Sequence, residues 1–211
     1  MDFRKQSIEE FTDALGSKAP VPGGGGASAL VAALGAALGA MVVSLTAGKA
    51  KYEDVQDIMA HVGGQIDYLQ SEFLSLIQED AEAFEPLSKA YKLPSGTAEE
   101  AAEKRTVLEN ALKIAADPPL KIMRKCCEAI ELLSILATKG NKLVVSDAGT
   151  GALLCKAALH GAGLSLLINT SMMKDSEYKE SLERERALMI EEYSGRADAV
   201  YERSIAVITD Y

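Results

Sequence analysis

The sequence predicts an all-α fold, a bundle of about seven helices around a central Ala/Gly/Leu-rich helix. Three observations lead there. Apolar residues recur at the helical period along most of the chain. Two capping boxes and several Gly or Pro breaks delimit the segments. Strand-like runs are nearly absent: only Leu143-Val144-Val145 reads as extended, and it is too short to build a sheet. The 211 residues are expected to form one domain over 1–211.

Ser7-Ile8-Glu9-Glu10 has capping-box spacing and Gly16 stands where a helix-ending glycine belongs, which gives a short first helix. From Ala19 to Gly48 no residue carries a formal charge, a run longer than the ~20 residues that span a bilayer. Sixteen of those 30 residues are Gly or Ala, which partition weakly into lipid, so a buried helix is the better reading. The run opens with the turn Pro20-Val21-Pro22-Gly23-Gly24-Gly25-Gly26, so its helix should start near Ala27. On that helix Leu30, Leu34, Leu38, Met41 and Leu45 make one narrow stripe, and Ala32, Gly35 and Gly39 a second on the opposite side. Two such faces suit a central helix with close neighbours on one side. A long helix follows from about Tyr52 to Glu85, weakened at Gly63-Gly64 and stopped by Pro86. The second capping box, Thr97-Ala98-Glu99-Glu100, opens a helix to Ala116 that ends at Asp117-Pro118-Pro119. Another runs from Pro119 to about Thr138. After the connector Lys139-Gly140-Asn141-Lys142, an apolar helix starts at Ser146-Asp147. The last helix begins near Asp175 and carries Leu182, Met189, Tyr193, Val200 and Val207 on one stripe.

Composition excludes several classes. A net charge of −9 argues against non-specific nucleic-acid binding, which needs a basic face. Three cysteines, two of them the adjacent pair Cys126 and Cys127, make no disulfide framework and fit a reducing, cytoplasmic setting. The first residues are not followed by an apolar signal core, so no secretory signal is expected. His61 and His160 are the only histidines and the cysteines lack metal-site spacing, so no metal is expected. Cys155 and His160, five apart on an apolar helix, read as core filler.

Five features could carry chemistry. Glycines opening a helix can offer backbone N–H groups to an anion, though the Gly-Lys-Ser/Thr ending of a nucleotide loop is missing here. The same loop could instead only let two helices turn tightly. Asp80 falls inside the apolar stripe Ile66, Leu69, Phe73, Leu76, Ile77, Phe84, where a carboxylate must be paired, protonated or working. Asp147 reads first as a capping group for its helix. Asn169 lies on the edge of an apolar face and would need buried partners, and Lys92 sits in a break between helices.

The stretch Ser17-Lys18-Ala19-Pro20-Val21-Pro22-Gly23-Gly24-Gly25, with the small-residue helix, Met41, Leu45-Thr46 and Lys51-Tyr52, closely resembles the cyclodeaminase/cyclohydrolase family of folate enzymes. Further matches follow in order: Glu79-Asp80-Ala81 with Ala83-Phe84, Tyr91-Lys92-Leu93-Pro94, Arg105, Ala115-Ala116 with Pro118, Gly140-Asn141, Ser146-Asp147-Ala148-Gly149 and Ile168-Asn169. The fourth glycine of the loop, Gly26, is a small departure and is not expected to matter.

The resemblance implies an all-helical homodimer with its site near the subunit interface. Its free-standing form hydrolyses 5,10-methenyltetrahydrofolate to 10-formyltetrahydrofolate, and 211 residues leave no room for a formiminotransferase domain. A free-standing cyclodeaminase that releases ammonia is the alternative. A non-enzymatic helical dimerisation module is a further one. On the hydrolase reading, Asp80 or Asp147 is the base, and Lys92 relays a proton or holds an anionic group. Pro22, Gly23, Gly24 and Gly25 contact substrate, Tyr52 stacks on a ring, and Asn141 and Asn169 bind the pterin edge. No cofactor beyond the tetrahydrofolate substrate is expected, and no nucleic acid or membrane partner.

Overall fold

A computed structural model describes residues 2–210. Six α-helices account for most of them: α1 (Ile8–Leu15), α2 (Gly24–Ser44), α3 (Gln56–Tyr91), α4 (Ala98–Lys139), α5 (Val145–Thr170) and α6 (Ser176–Thr209). Short 3₁₀ turns at Phe3–Lys5, Ala50–Val55 and Lys142–Val144 join them, and no strand occurs among the described residues. The all-α expectation holds. Six helices replace about seven because two expected segments are one.

That merger is α4, which runs straight through Pro118 and Pro119. Proline removes an N–H but keeps a helical φ, so it is tolerated where packing holds the helix and the freed carbonyl finds another partner. Both prolines are buried, as are Ala115, Ala116, Leu120, Ile122 and Met123 around them. Likewise α3 does not stop at Pro86. Leu87 and Ala90 are buried beyond it, and the carbonyl it releases belongs to exposed Glu82. The N-terminal end of α3 is later than expected, because Tyr52 has non-helical angles inside the 3₁₀ turn. Leu143-Val144-Val145 is helical turn, not extended chain.

Both capping boxes form, at Ser7/Glu10 and Thr97/Glu100. Gly16 caps α1 with right-handed angles, and Asp175 caps α6, whose expected stripe faces the core. Asp147 does not cap α5: Val144 holds that position without a side-chain bond, and Asp147 sits inside the first turn.

The helices stack in two layers, with α2, α5 and α6 side by side over α3 and α4. The antiparallel pair α2 and α5 approaches closely, because glycine faces glycine across it. A Cβ on Gly35 would lie 2.7 Å from Cys155 Sγ, and one on Gly151 would lie 2.9 Å from the Gly35 carbonyl oxygen. The small-residue face of α2 therefore points inward, as expected. Its leucine stripe points out: Leu34 is 52 % and Met41 45 % exposed. Cys155 is buried, but His160 is not core filler; it is exposed and its Nε2 lies 2.8 Å from Ser194 Oγ.

Candidate active site

The glycine loop opens α2 earlier than the sequence suggested. Gly23 is the N-cap and the first turn is Gly24-Gly25-Gly26, closed by the Ala27 N–H donating to the Gly23 carbonyl at 3.0 Å. The first N–H groups of any helix lack an intrahelical acceptor. Here the chain supplies its own anion: the Gly26 N–H donates to the Asp80 carboxylate. A Cβ on Gly25 would collide with that carboxylate, so a side chain is excluded there, whereas at Gly26 it would meet only ordinary contacts from 3.5 Å. The fourth glycine is used through its backbone alone.

Desolvation pushes the Asp80 pKa up from 3.8 to about 6, partly opposed by the Gly26 hydrogen bond. Asp80 opens on a cleft of about 170 Å³ between the start of α2, the last third of α3, the middle of α4 and the end of α5. Gly23, Gly24, Gly25 and Asn169 share this cleft. Its apolar wall is Pro20, Val21, Phe84, Ala115, Pro119 and Ile168, and Ser165 adds a hydroxyl. Among the described residues, Asp80 is the one ionisable side chain in the lining. Such a cleft suits a small, positively charged or polarised centre, since a carboxylate is the only charge available to meet it.

Asn169 satisfies its burial by donating from Nδ2 to the Ala115 carbonyl at 2.9 Å and the Ser165 carbonyl at 3.1 Å. Pro22 is buried beneath the loop, against Gly26, and does not line the cleft.

The other sequence candidates lie elsewhere in the subunit. Lys92 is the exposed C-cap of α3, two turns beyond Phe84. The break that carries it is pinned by Lys104, whose Nζ donates to the carbonyls of Tyr91 and Leu93 at 2.9 and 2.7 Å. Tyr52 and Asn141 meet beyond the C-terminal end of α2, about 30 Å from Gly24 for a 21-residue helix. Tyr52 donates its hydroxyl proton to Asn141 Oδ1 (3.2 Å) and accepts from the Lys142 N–H (3.1 Å). The Asn141 amide donates to the Leu45 carbonyl (2.9 Å), and its backbone N–H donates to Thr46 Oγ1 (2.9 Å). These two residues clasp the ends of α2, α4 and α5 together. Asp147 belongs to the same end, since α5 runs antiparallel to α2. The free subunit thus joins Gly23–Gly25, Asp80 and Asn169 and leaves Lys92, Tyr52, Asn141 and Asp147 outside. Ser165 and Pro119 carried no sequence signal as site residues, because one looks like helix surface and the other like a helix break.

Comparison with known proteins adds the family. The family model described as formiminotransferase-cyclodeaminase matches residues 7–188. A methenyltetrahydrofolate cyclohydrolase of Methylorubrum extorquens is 40% identical over 93% of this chain and 95% of its own length. A formimidoyltransferase-cyclodeaminase of Gallus gallus is 32% identical over 86% of this chain, which spans only 34% of that longer protein. The crystal structure of a formiminotetrahydrofolate cyclodeaminase from Thermotoga maritima superposes with a TM-score of 0.80 at 30% identity, covering 98% of this chain and 97% of that one.

Proposed function

The chain belongs to the formiminotransferase-cyclodeaminase family, and from that premise we propose that it hydrolyses 5,10-methenyltetrahydrofolate to 10-formyltetrahydrofolate. The observation that carries this reading is Asp80: a half-buried, strongly desolvated carboxylate, unaccompanied by any cation in the lining of a small cleft. The substrate's reacting carbon is part of a cationic amidinium between N5 and N10. Asp80 faces that charge and, being mostly ionised at pH 7, takes a proton from water as the C–O bond forms. The π electrons of the amidinium move to nitrogen, which leaves a neutral hydroxyl adduct. Protonated Asp80 then gives its proton to N5 as the C–N5 bond breaks. The hydroxyl proton leaves to solvent as the carbonyl forms, so each turnover releases one proton. No cofactor beyond the folate takes part.

The cyclohydrolase relative is matched over 95% of its length and at higher identity than the cyclodeaminases. The Thermotoga maritima cyclodeaminase chain is likewise matched over 97% of its length, however, and the cyclodeaminase reaction passes through the analogous amino adduct. The purified protein is therefore given methenyltetrahydrofolate and formiminotetrahydrofolate separately. Loss of near-ultraviolet methenyl absorbance well above the uncatalysed rate, without ammonia release from the formimino compound, is the expected result. The reverse pattern assigns the cyclodeaminase.

The working form is a homodimer in the cytoplasm, free of membrane. A cleft of about 170 Å³ is smaller than the ~300–1,000 Å³ of small-molecule sites, so a folate must be covered by something further. The outward stripe of α2 (Ala27, Val31, Leu34, Leu38, Met41) and that of α5 (Leu153, Ala157, Leu164, Ile168) form one apolar face beside the cleft. Ile168 belongs to both. A shallow groove lined by Ala27, Ser28, Val31, Ala157 and Ala158 runs along this face. Both helices are long and apolar enough to cross a membrane, but about half of each is buried inside the bundle. A second copy covers the rest. A two-fold axis across α2 runs the copies antiparallel, bringing the Tyr52, Asn141 and Asp147 end of one towards the cleft of the other. Only in that assembly do those residues and Lys92 serve as substrate contacts and proton carriers.

A further inference from the structure

The double proline in α4 has a consequence inside the cleft. Pro119 carries no N–H, so the Ala115 carbonyl loses its partner four residues on. Ala115 is buried, and the unpaired acceptor is filled from another helix by Asn169 Nδ2 at 2.9 Å. The second amide hydrogen of Asn169 goes to the Ser165 carbonyl at 3.1 Å. A carboxamide has two hydrogens, and both are now used. Asn169 is only 7 % exposed; among the described residues both of its hydrogen bonds run from Nδ2 and none is accepted by its Oδ1, and its side chain lines the cleft. This side chain can act towards a ligand only as an acceptor. A pterin edge, which alternates donors and acceptors, is poorly matched to it.

Asp80 stands across the same glycine turn. A Cβ on Gly25 would strike Asp80, and one on Gly24 would touch Ser165 Oγ at 3.4 Å, one helical turn before Asn169. The cleft therefore sets two acceptors, Asp80 and Asn169 Oδ1, around the start of α2. Water has two hydrogens to give. Donating one to each acceptor fixes its orientation and leaves a lone pair directed away from both, towards the mouth of the cleft.

We infer that Asn169 holds the attacking water together with Asp80, and that Pro119 is the positioning residue that fixes the Asn169 amide by leaving the Ala115 carbonyl open. The inference rests on Asp80 acting as the base in the hydrolase reading. In the addition step the hydrogen on Asp80 is transferred as the C–O bond forms. The hydrogen on Asn169 Oδ1 stays with the new hydroxyl until the carbonyl forms.

Steady-state kinetics with methenyltetrahydrofolate test this in the full-length protein. Asn169→Ala should lower kcat by about 10²-fold through loss of water alignment, with KM within about threefold of wild type. Pro119→Ala restores an N–H that competes for the Ala115 carbonyl, and it should lower kcat about tenfold without lowering the melting temperature. Pro118→Ala repairs the helix equally, but its acceptor is exposed Ile114, so its kcat should match wild type. A raised KM at unchanged kcat for Asn169→Ala would overturn the proposal in favour of a substrate contact. Equal kcat for Pro119→Ala and Pro118→Ala would remove the proline's part, and that comparison still decides if Asn169→Ala fails to fold. A wild-type protein that leaves methenyltetrahydrofolate unhydrolysed would instead sink the assignment of the reaction itself.

Discussion

Asp80 is held where its neutral form is favoured, with its pKa raised from 3.8 to about 6 by burial. The native state therefore binds this proton more tightly than the unfolded chain does. The associated stability is complete below about pH 3.8 and is lost as pH rises through about 6. Above that pH the protein retains an ionised, largely buried carboxylate at a cost of up to about 3 kcal/mol. Asp80→Asn keeps an acceptor for the Gly26 N–H and removes the charge. Urea unfolding should find it more stable than wild type by up to about 3 kcal/mol at pH 7.5, with the gap closing near pH 4. Its turnover should fall by roughly 10²–10⁴-fold, as for a lost general base. In the wild type, kcat/KM should drop about tenfold per pH unit below about 6, and no such limb should remain in the variant. A carboxylate that served only to cap α2 would give the stability change without the kinetic one.

At the scale of helices, α2 and α5 are held together by what they lack. Gly151→Ala places a methyl 2.9 Å from the Gly35 carbonyl, a backbone atom that moves only with its helix. Thermal unfolding should show it destabilised by about 1–3 kcal/mol. Gly195→Ala, in the exposed middle of α6 with nothing within 4 Å, should instead stabilise by about 0.5–1 kcal/mol. The same logic explains what could be read from the sequence. Capping boxes are local chemistry, so the starts of α1 and α4 were legible, as was the inward stripe of α6. Pro86 and Pro118-Pro119 were misread as ends because a proline's effect depends on what packs beside it and on whether its orphaned carbonyl meets water, as at Glu82, or a side chain from 54 residues away, as at Ala115. Asp80 stood out because a charge inside an apolar stripe breaks the local pattern. Asn169 was visible as a residue but not as an acceptor, since its orientation depends on a gap in another helix. Asn141 and Tyr52 were singled out as ligand contacts, yet within one subunit they brace three helix ends.

For the whole molecule, the outward leucine stripe is the feature that one subunit leaves unexplained. Leu34, Leu164 and Ile168 are 52 %, 69 % and 65 % exposed on adjacent helices, although the inner face is filled with alanine and glycine. Two helices about 30 Å long and ~10 Å wide offer a face of about 600 Å² in projection. That is close to the ~800 Å² per partner of a stable pair. Leu34→Glu sets a charge in the middle of this face while touching little in the subunit's own core. Its unfolding free energy per chain should change by no more than about 0.5 kcal/mol when measured below the dissociation concentration. Sedimentation should then find single chains where the wild type sediments as pairs. Turnover should fall with the pairing, because Ile168 lines the cleft and, in the proposed dimer, the same partner surface would close its mouth. A Leu34→Glu protein that is monomeric yet fully active would detach the cleft from the dimer. A wild type that is monomeric at micromolar concentration would leave the apolar face for some other surface to cover.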